Sequence, residues 1–134
     1  MSVAFTVARL NTTVTGDTIS AAANGSTVAI GSSAHGVIVN EAMAILHCLS
    51  VSAAGSFPVL IQGSVDGGTT WTTQGTFGTV SATGIKTLRL TNLAPLIRWK
   101  SSAGSGTNVV VVIDVVGVFP IDSYLTNDTA IVAA

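Results

Sequence analysis

Thr107-Asn108-Val109-Val110-Val111-Val112-Ile113-Asp114-Val115-Val116-Gly117-Val118-Phe119 is the stretch that decides the fold. β-Branched side chains fill it, and these are stiff at χ1 and pack well on a pleated surface. A turn-forming run, Gly104-Ser105-Gly106, leads into it. Its apolar centre, Val109–Ile113, does not alternate with polar residues, so both faces of this strand are expected to be covered. An opposite sheet can cover one face. The other needs the C-terminal tail, a crossing loop or a second subunit. Gly117 reads as a bulge or a close backbone approach.

The same chemistry extends outward along the chain. Ser2–Leu10 alternates Val3, Phe5 and Val7 against Ala4, Thr6 and Ala8, the period of a half-buried strand. Thr18–Ala22 and Ser26–Ile30 read as short strands around a tight turn at Asn24-Gly25, and Gly36–Asn40 as another. Pro58–Val65 and Thr69–Gln74 form a hairpin. Ile85–Asn92 and Leu96–Ser102 come next, divided by Ala94-Pro95. Glu41–Leu49 fits either element, because Asn40 is a fair helix cap and Ala42, Ile45, Leu46 and Leu49 share a helical face. The continuation into Val51 and the turn at Ala54-Gly55-Ser56 favour a strand over Met43–Ser52. The expected fold is an all-β antiparallel β-sandwich, jelly-roll-like, of about eight or more strands. It forms one domain over residues 1–134, with 1–40 and 120–134 as contact-making arms.

Composition narrows the function. The chain is 48% hydrophobic and only 8% charged, against about 25% charged in an ordinary soluble domain. Its surface must therefore be Ser, Thr, Gly, Ala and left-over apolar residues, which suits a protein whose outside is partly another protein's inside. A net charge of −1 supplies no basic field for nucleic acid or anionic lipid. The N-terminal residues lack the basic and apolar regions of a signal peptide, and no run is long enough to span a bilayer as a helix. Assembly in a cytoplasm is the expectation. Cys48 is the only cysteine and lies in an apolar run, so it reads as a small buried hydrophobe.

Ser64-Val65-Asp66-Gly67-Gly68-Thr69-Thr70-Trp71 fits the Asp-box pattern Ser-x-Asp-x-Gly-x-Thr-Trp. Asp66 can accept backbone N–H bonds across the turn. Gly67 and Gly68 supply positive φ, and Trp71 folds back over the base. Ser64, Asp66, Gly67, Gly68, Thr70 and Trp71 are thus read as a structural turn. The motif resembles that of sialidases, where it recurs once per propeller blade. Here it occurs once, and the arginine triad and Tyr–Glu pair of that family cannot be placed on Arg9, Arg89, Arg98, Tyr124 and Glu41.

From Ala42 to Phe119 the order is an apolar strand, a Gly/Ser turn, Val59–Ser64, the Asp-box hairpin, Leu88-Arg89-Leu90, Leu96–Lys100 and the long valine strand. This order resembles small β-sandwich virion proteins of tailed bacteriophages, notably capsid decoration (cement) proteins and related tail modules. The resemblance implies a structural, non-enzymatic role on the virion. The partner would be the major capsid protein, and the chain would be a homo-oligomer, with a trimer favoured. A tail, baseplate or fibre component is the alternative within that class. A carbohydrate-binding module stacking sugars on Trp71, Trp99 or Tyr124 is the alternative outside it.

Other candidates are weighed from the residues. His35, His47 and Cys48 lack metal-ligand spacing, and Asp17, Asp66, Asp114, Asp122 and Asp128 are scattered singly, so no metal is expected. Asp122 and Asp128 could share an ion around Asn127, although a solvated tail explains them equally. No Gly-x-Ser-x-Gly or phosphate-cradling Gly-rich motif occurs, and neither catalytic residues nor a cofactor are expected. Arg89, Arg98 and Lys100 would gather on one face if Ile85–Asn92 and Leu96–Ser102 paired. They would then be a docking patch for an acidic partner, or merely a solvated edge. Trp99 falls opposite Arg98, with Ile97 in the core.

Overall fold

The computed structural model describes residues 2–13, 15–29, 39–121 and 131–132. Every regular element among them is a strand: β1 (Ser2–Arg9), β2 (Asp17–Ile19), β3 (Ala23–Asn24), β4 (Val28–Ala29), β5 (Val39–Ser52), β6 (Phe57–Ser64), β7 (Thr72–Val80), β8 (Gly84–Leu93), β9 (Leu96–Ser101), β10 (Asn108–Ile121) and β11 (Ile131–Val132).

These strands make two antiparallel sheets. The first is six-stranded, in the order β11-β1-β10-β5-β8, with β2 also paired to β10; the second is five-stranded, in the order β3-β9-β6-β7, with β4 also on β9. With β3 and β4 counted as one interrupted strand and the short β2 and β11 set aside, eight principal strands fall as first-eighth-third-sixth and second-seventh-fourth-fifth. That is jelly-roll order, two Greek keys wrapped into a sandwich. Residues 2–29 contribute strands to both sheets.

Period-two burial builds the core. Val109, Val111, Ile113 and Val115 of β10 face inward with no more than trace exposure, meeting Leu46, Ile61, Ile97 and Trp99. β5 is a strand throughout, which resolves the helix-or-strand ambiguity of Glu41–Leu49. Ala42, Ala44, Leu46 and Cys48 turn inward, whereas Met43 and Leu49 stay exposed. A helix would have put Leu46 and Leu49 on one face; the strand separates them.

The expected bulge is not at Gly117, where pairing runs unbroken to Thr6 on one side and Ala42 on the other. The register shifts instead between Val110 and Val111, opposite Ser50 and Cys48, so Leu49 is the extra residue in β5. One inserted residue reverses the facing of the strand beyond it. Val51 therefore packs against the core, where simple alternation puts it beside Ile45, His47 and Leu49.

Three further expectations change. Asn24-Gly25 is not a hairpin turn. β3 and β4 both run along β9, and Gly25 N donates to the Trp99 carbonyl between them. β7 runs on to Val80, well past Gln74. Gly75 interrupts the apolar pattern because a Cβ there would sit 2.8 Å from a Leu88 methyl. Lastly, β8 and β9 do not pair: β8 lies on β5 and β9 lies on β6. Ala94-Pro95 steps between the sheets, with the Ala94 N–H donating to Gln74 Oε1 of β7. Alternation reports which face a residue takes, not which strand it pairs with, so the sequence could not separate hairpin from crossover.

Candidate interaction surfaces

The Asp box closes the β6–β7 connection. Ser64, 2% exposed, donates to Asp66 Oδ1 at 2.8 Å and accepts the Gly68 N–H at 2.9 Å. Asp66 Oδ1 accepts the Thr70 N–H at 2.8 Å, and the Trp71 indole donates to the Gly68 carbonyl at 3.0 Å. Gly67 and Gly68 hold φ of 77° and 94°, a region costly for residues with a Cβ. The Thr70 backbone bond, then the Ser64 hydroxyl, lower the Asp66 pKa to about 2. All its strong partners are local, so the motif is a self-contained clasp.

Trp71 is half-buried, and the Arg98 guanidinium lies 4.0 Å from its ring centroid, a cation–π contact. Arg98 Nε also donates to Gln62 Oε1 at 3.0 Å, tying β9 to β6. Arg98 and Lys100 share the outer face of the second sheet, alternating with buried Ile97 and Trp99. Arg89 lies on β8 in the other sheet. The three-cation patch therefore does not form, because the pairing it required is a crossover.

Asp17 has a role that sequence reasoning missed. It is 4% exposed. Its carboxylate accepts the Thr12 N–H at 2.9 Å, the Thr12 hydroxyl at 2.7 Å and the Thr13 N–H at 3.0 Å. Its Oδ2 accepts the Trp99 indole N–H at 2.8 Å. β2 belongs to the first sheet and β9 to the second, so this contact fastens one sheet to the other through the core. Burial pushes the Asp17 pKa up, but the hydrogen bonds from Thr12, Trp99 and Thr13 outweigh it and hold the carboxyl below its ordinary range. Gly25 makes room, since a Cβ there would lie 2.2 Å from Trp99 Nε1. The only signal available beforehand was an Asp among threonines, which also describes a plain turn.

The outer face of the first sheet is open and carries apolar side chains interspersed with Thr18, His47, Asp114, Thr87 and Arg89. Val110, Val112 and Val116 of β10 are half-buried there, with Ile45 beside them. Met43, Leu49 and Ile85 are 46%, 43% and 65% exposed. The register sets Val116 beside Met43, and Val112 beside His47 and then Ile85. Asp114 stands on β10 between Val112 and Val116, in one row with Ile45 and Thr87, and Arg9 of β1 pairs with it at 2.9 and 3.1 Å. Among the described residues, no element lies over this face. The second cover expected for the valine strand is thus not supplied by any described part of the chain.

Remaining candidates fall apart in space. Cys48 is buried, and burial raises its thiol pKa. It lines, with Leu46, Val80 and Lys86, a cavity of about 250 Å³ at the β7–β8 end of the sandwich. His47 is exposed on the outer face. Among the described residues no three His, Cys, Asp or Glu side chains converge as metal ligands would, and no helix is long and apolar enough to cross a membrane. His35, Asp122, Tyr124, Asn127 and Asp128 lie outside the described residues. Comparison with known protein families, with curated proteins and with solved structures found no match in any of the three.

Proposed function

We propose that the chain is a non-enzymatic structural protein of a virion, a capsid decoration protein that stiffens a shell by bridging major capsid subunits. The observation that carries this reading is the open apolar face built from β10, β5 and β8. Its exposed and half-buried valine, isoleucine, leucine and methionine side chains are of the kind found in cores, standing around an Asp114 held by Arg9, and exposed apolar surface of this kind marks a contact site. The jelly roll is shared by capsid and lectin domains, and the site rather than the fold must choose between them. Sugar-binding surfaces use open aromatic rings. Here Trp99 is 2% exposed and donates to Asp17, while Arg98 lies over Trp71. Adhesion through apolar area, at roughly 25 cal/mol per Å², fits this surface better than sugar stacking. Repetition over a shell multiplies weak contacts through avidity.

The test is a density-gradient separation of particles from the producing cells, with mass spectrometry of the particle band. The proposal expects the chain in fixed ratio to the major shell protein, and particles stripped of it that break at a lower temperature. A chain found only among free proteins at the top of the gradient overturns the proposal. Its recovery with isolated tails in place of filled heads would move it to a tail, baseplate or fibre role.

A further inference from the structure

We propose that the outer face of the five-stranded sheet docks an extended acidic segment of a partner protein, with carboxylates at alternate positions meeting Arg98 and Lys100. This contact lies on the opposite side of the sandwich from the apolar face and goes beyond the adhesive reading above. A protein that bridges two surfaces needs two contacts, and the two sheets offer them with different chemistry.

The polar groups left open at the centre of this face are donors. Arg98 and Lys100 project outward from β9, alternating with Ile97, Trp99 and Ser101 in the interior. Gln62 stands opposite Arg98 on β6, and Leu60 opposite Lys100. Gln62 is 8% exposed, and its Oε1 accepts the Arg98 Nε–H at 3.0 Å. Its NH2 group has no hydrogen-bond partner among the described residues and is not sealed from solvent. The two terminal nitrogens of Arg98 and the Lys100 ammonium are likewise without hydrogen-bond partners. An amide NH2, a guanidinium edge and an ammonium share one demand, a ligand that only accepts.

The chain's own described carboxylates do not meet that demand. Asp114 is paired with Arg9 on the other sheet, and Glu41 stands on β5 of that sheet. Asp17 is engaged in the core by Thr12, Thr13 and Trp99. Asp66, just past the end of β6, is held within the clasp by Ser64 and Thr70. Arg98 and Lys100 therefore have no acidic partner among the described residues.

Arg98 is already set for a carboxylate. Its guanidinium lies over Trp71, and its Nε is tied to Gln62. The edge that remains is the pair of terminal nitrogens, which can grip a carboxylate end-on through two parallel bonds. An arginine held in this way loses little side-chain freedom on binding, the cost that makes loose surface ion pairs weak. Spacing selects the form of the partner. Two residues apart on one strand, Arg98 and Lys100 stand about 6.8 Å from each other. An extended segment repeats its side chains on one face at that same interval, so acid-x-acid laid along β9 meets both cations; a helix does not place such residues on one face. A polyanion is drawn by a broad positive field, which a chain of net charge −1 lacks.

The test is an NMR titration of the 15N-labelled full chain with a blocked pentapeptide of alternating valine and glutamate. The expected result is saturable binding with a Kd on the order of a millimolar or below. Shifts should centre on the Gln62 NH2, the Arg98 Nε–H and the Trp71 indole, and added salt should weaken the binding. The glutamine version of the peptide should not bind. Lys100→Gln, and Arg98→Lys, which keeps the charge and loses the fork, should each weaken binding at least about threefold. Lys86→Gln, which removes a cation from β8, should change nothing. Circular dichroism melts verify folding of each variant. No saturation up to about 20 mM peptide, equal binding of the glutamine peptide, or binding indifferent to both Arg98→Lys and Lys100→Gln overturns the proposal. Tighter binding of a heparin hexasaccharide or an oligodeoxythymidylate also overturns it, by giving the face to a polyanion. None of these outcomes involves a particle, so this site and the virion role fail separately.

Discussion

Asp17→Asn removes one charge and replaces one oxygen by an NH2 group, with almost no change of volume. In the wild type Oδ1 serves Thr12 and Thr13, while Oδ2 accepts the Trp99 indole at 2.8 Å. An asparagine that keeps its oxygen toward the threonines must turn its NH2 toward the indole N–H, donor against donor. Two costs result. Charge-assisted bonds become neutral ones, and a buried N–H is left without an acceptor, at about 1–3 kcal/mol for the latter alone. A total of about 3 kcal/mol is expected. With a urea m-value of about 2 kcal/mol/M, the unfolding midpoint should fall by about 1.5 M. The Trp99→Phe background isolates the contact: with no indole donor to orphan, Asp17→Asn should cost about 1–2 kcal/mol less there. The lowered carboxyl sets the sign with pH. Because the folded-state pKa lies below the unfolded value near about 3.9, the stabilisation is complete above that value and is lost as pH falls through the folded pKa. Asp17→Asn should lack that acid limb. A midpoint shift below about 0.3 M, or an equal cost with and without the indole, refutes the idea that this carboxylate fastens the sheets.

Gly25→Ala places a methyl where Trp99 Nε1 now lies; it should cost about 1–3 kcal/mol through forced displacement of the indole, read as a lowered urea midpoint. The Asp66 side-chain carbon, followed by NMR, should titrate with a midpoint near about 2, and a midpoint near 4 would mean that the clasp is open in solution. Leu46→Ala, at a position with no exposure, should destabilise by about 2–5 kcal/mol. Met43→Ala on the outward face of the same strand should change stability by less than about 1 kcal/mol in dilute protein; similar losses at both sites would put the β5 register in error.

The fold was largely legible because β structure writes its facing directly into sequence. Ile97, Arg98, Trp99 and Lys100 alternate in residue type as they do in burial, and turn residues mark where strands end, whereas the uniform run Val109–Ile113 marks a strand without saying which of its residues face the core. Pairing was not legible. Ala94-Pro95 looks like a hairpin link, yet it carries the chain from one sheet to the other, and nothing in either strand's own residues distinguishes the two. The bulge at Leu49 was equally silent, and it alone moved Val51 into the core. Of the candidate site, the Asp-box turn could be read because all its partners lie within eight residues. Asp17 and Trp99 are 82 positions apart, and no local pattern reports such a contact. The open apolar face was visible only as a valine run lacking a second cover.

The central claim is that protein covers this face in the assembled state. Peroxide footprinting of Met43, which is 46% exposed in the single chain, tests it most directly, because sulfoxide formation requires access to the thioether. Oxidation should be fast in the free protein and at least about tenfold slower on particles, because the buried core of an interface excludes solvent. Equal rates in both states would contradict the account.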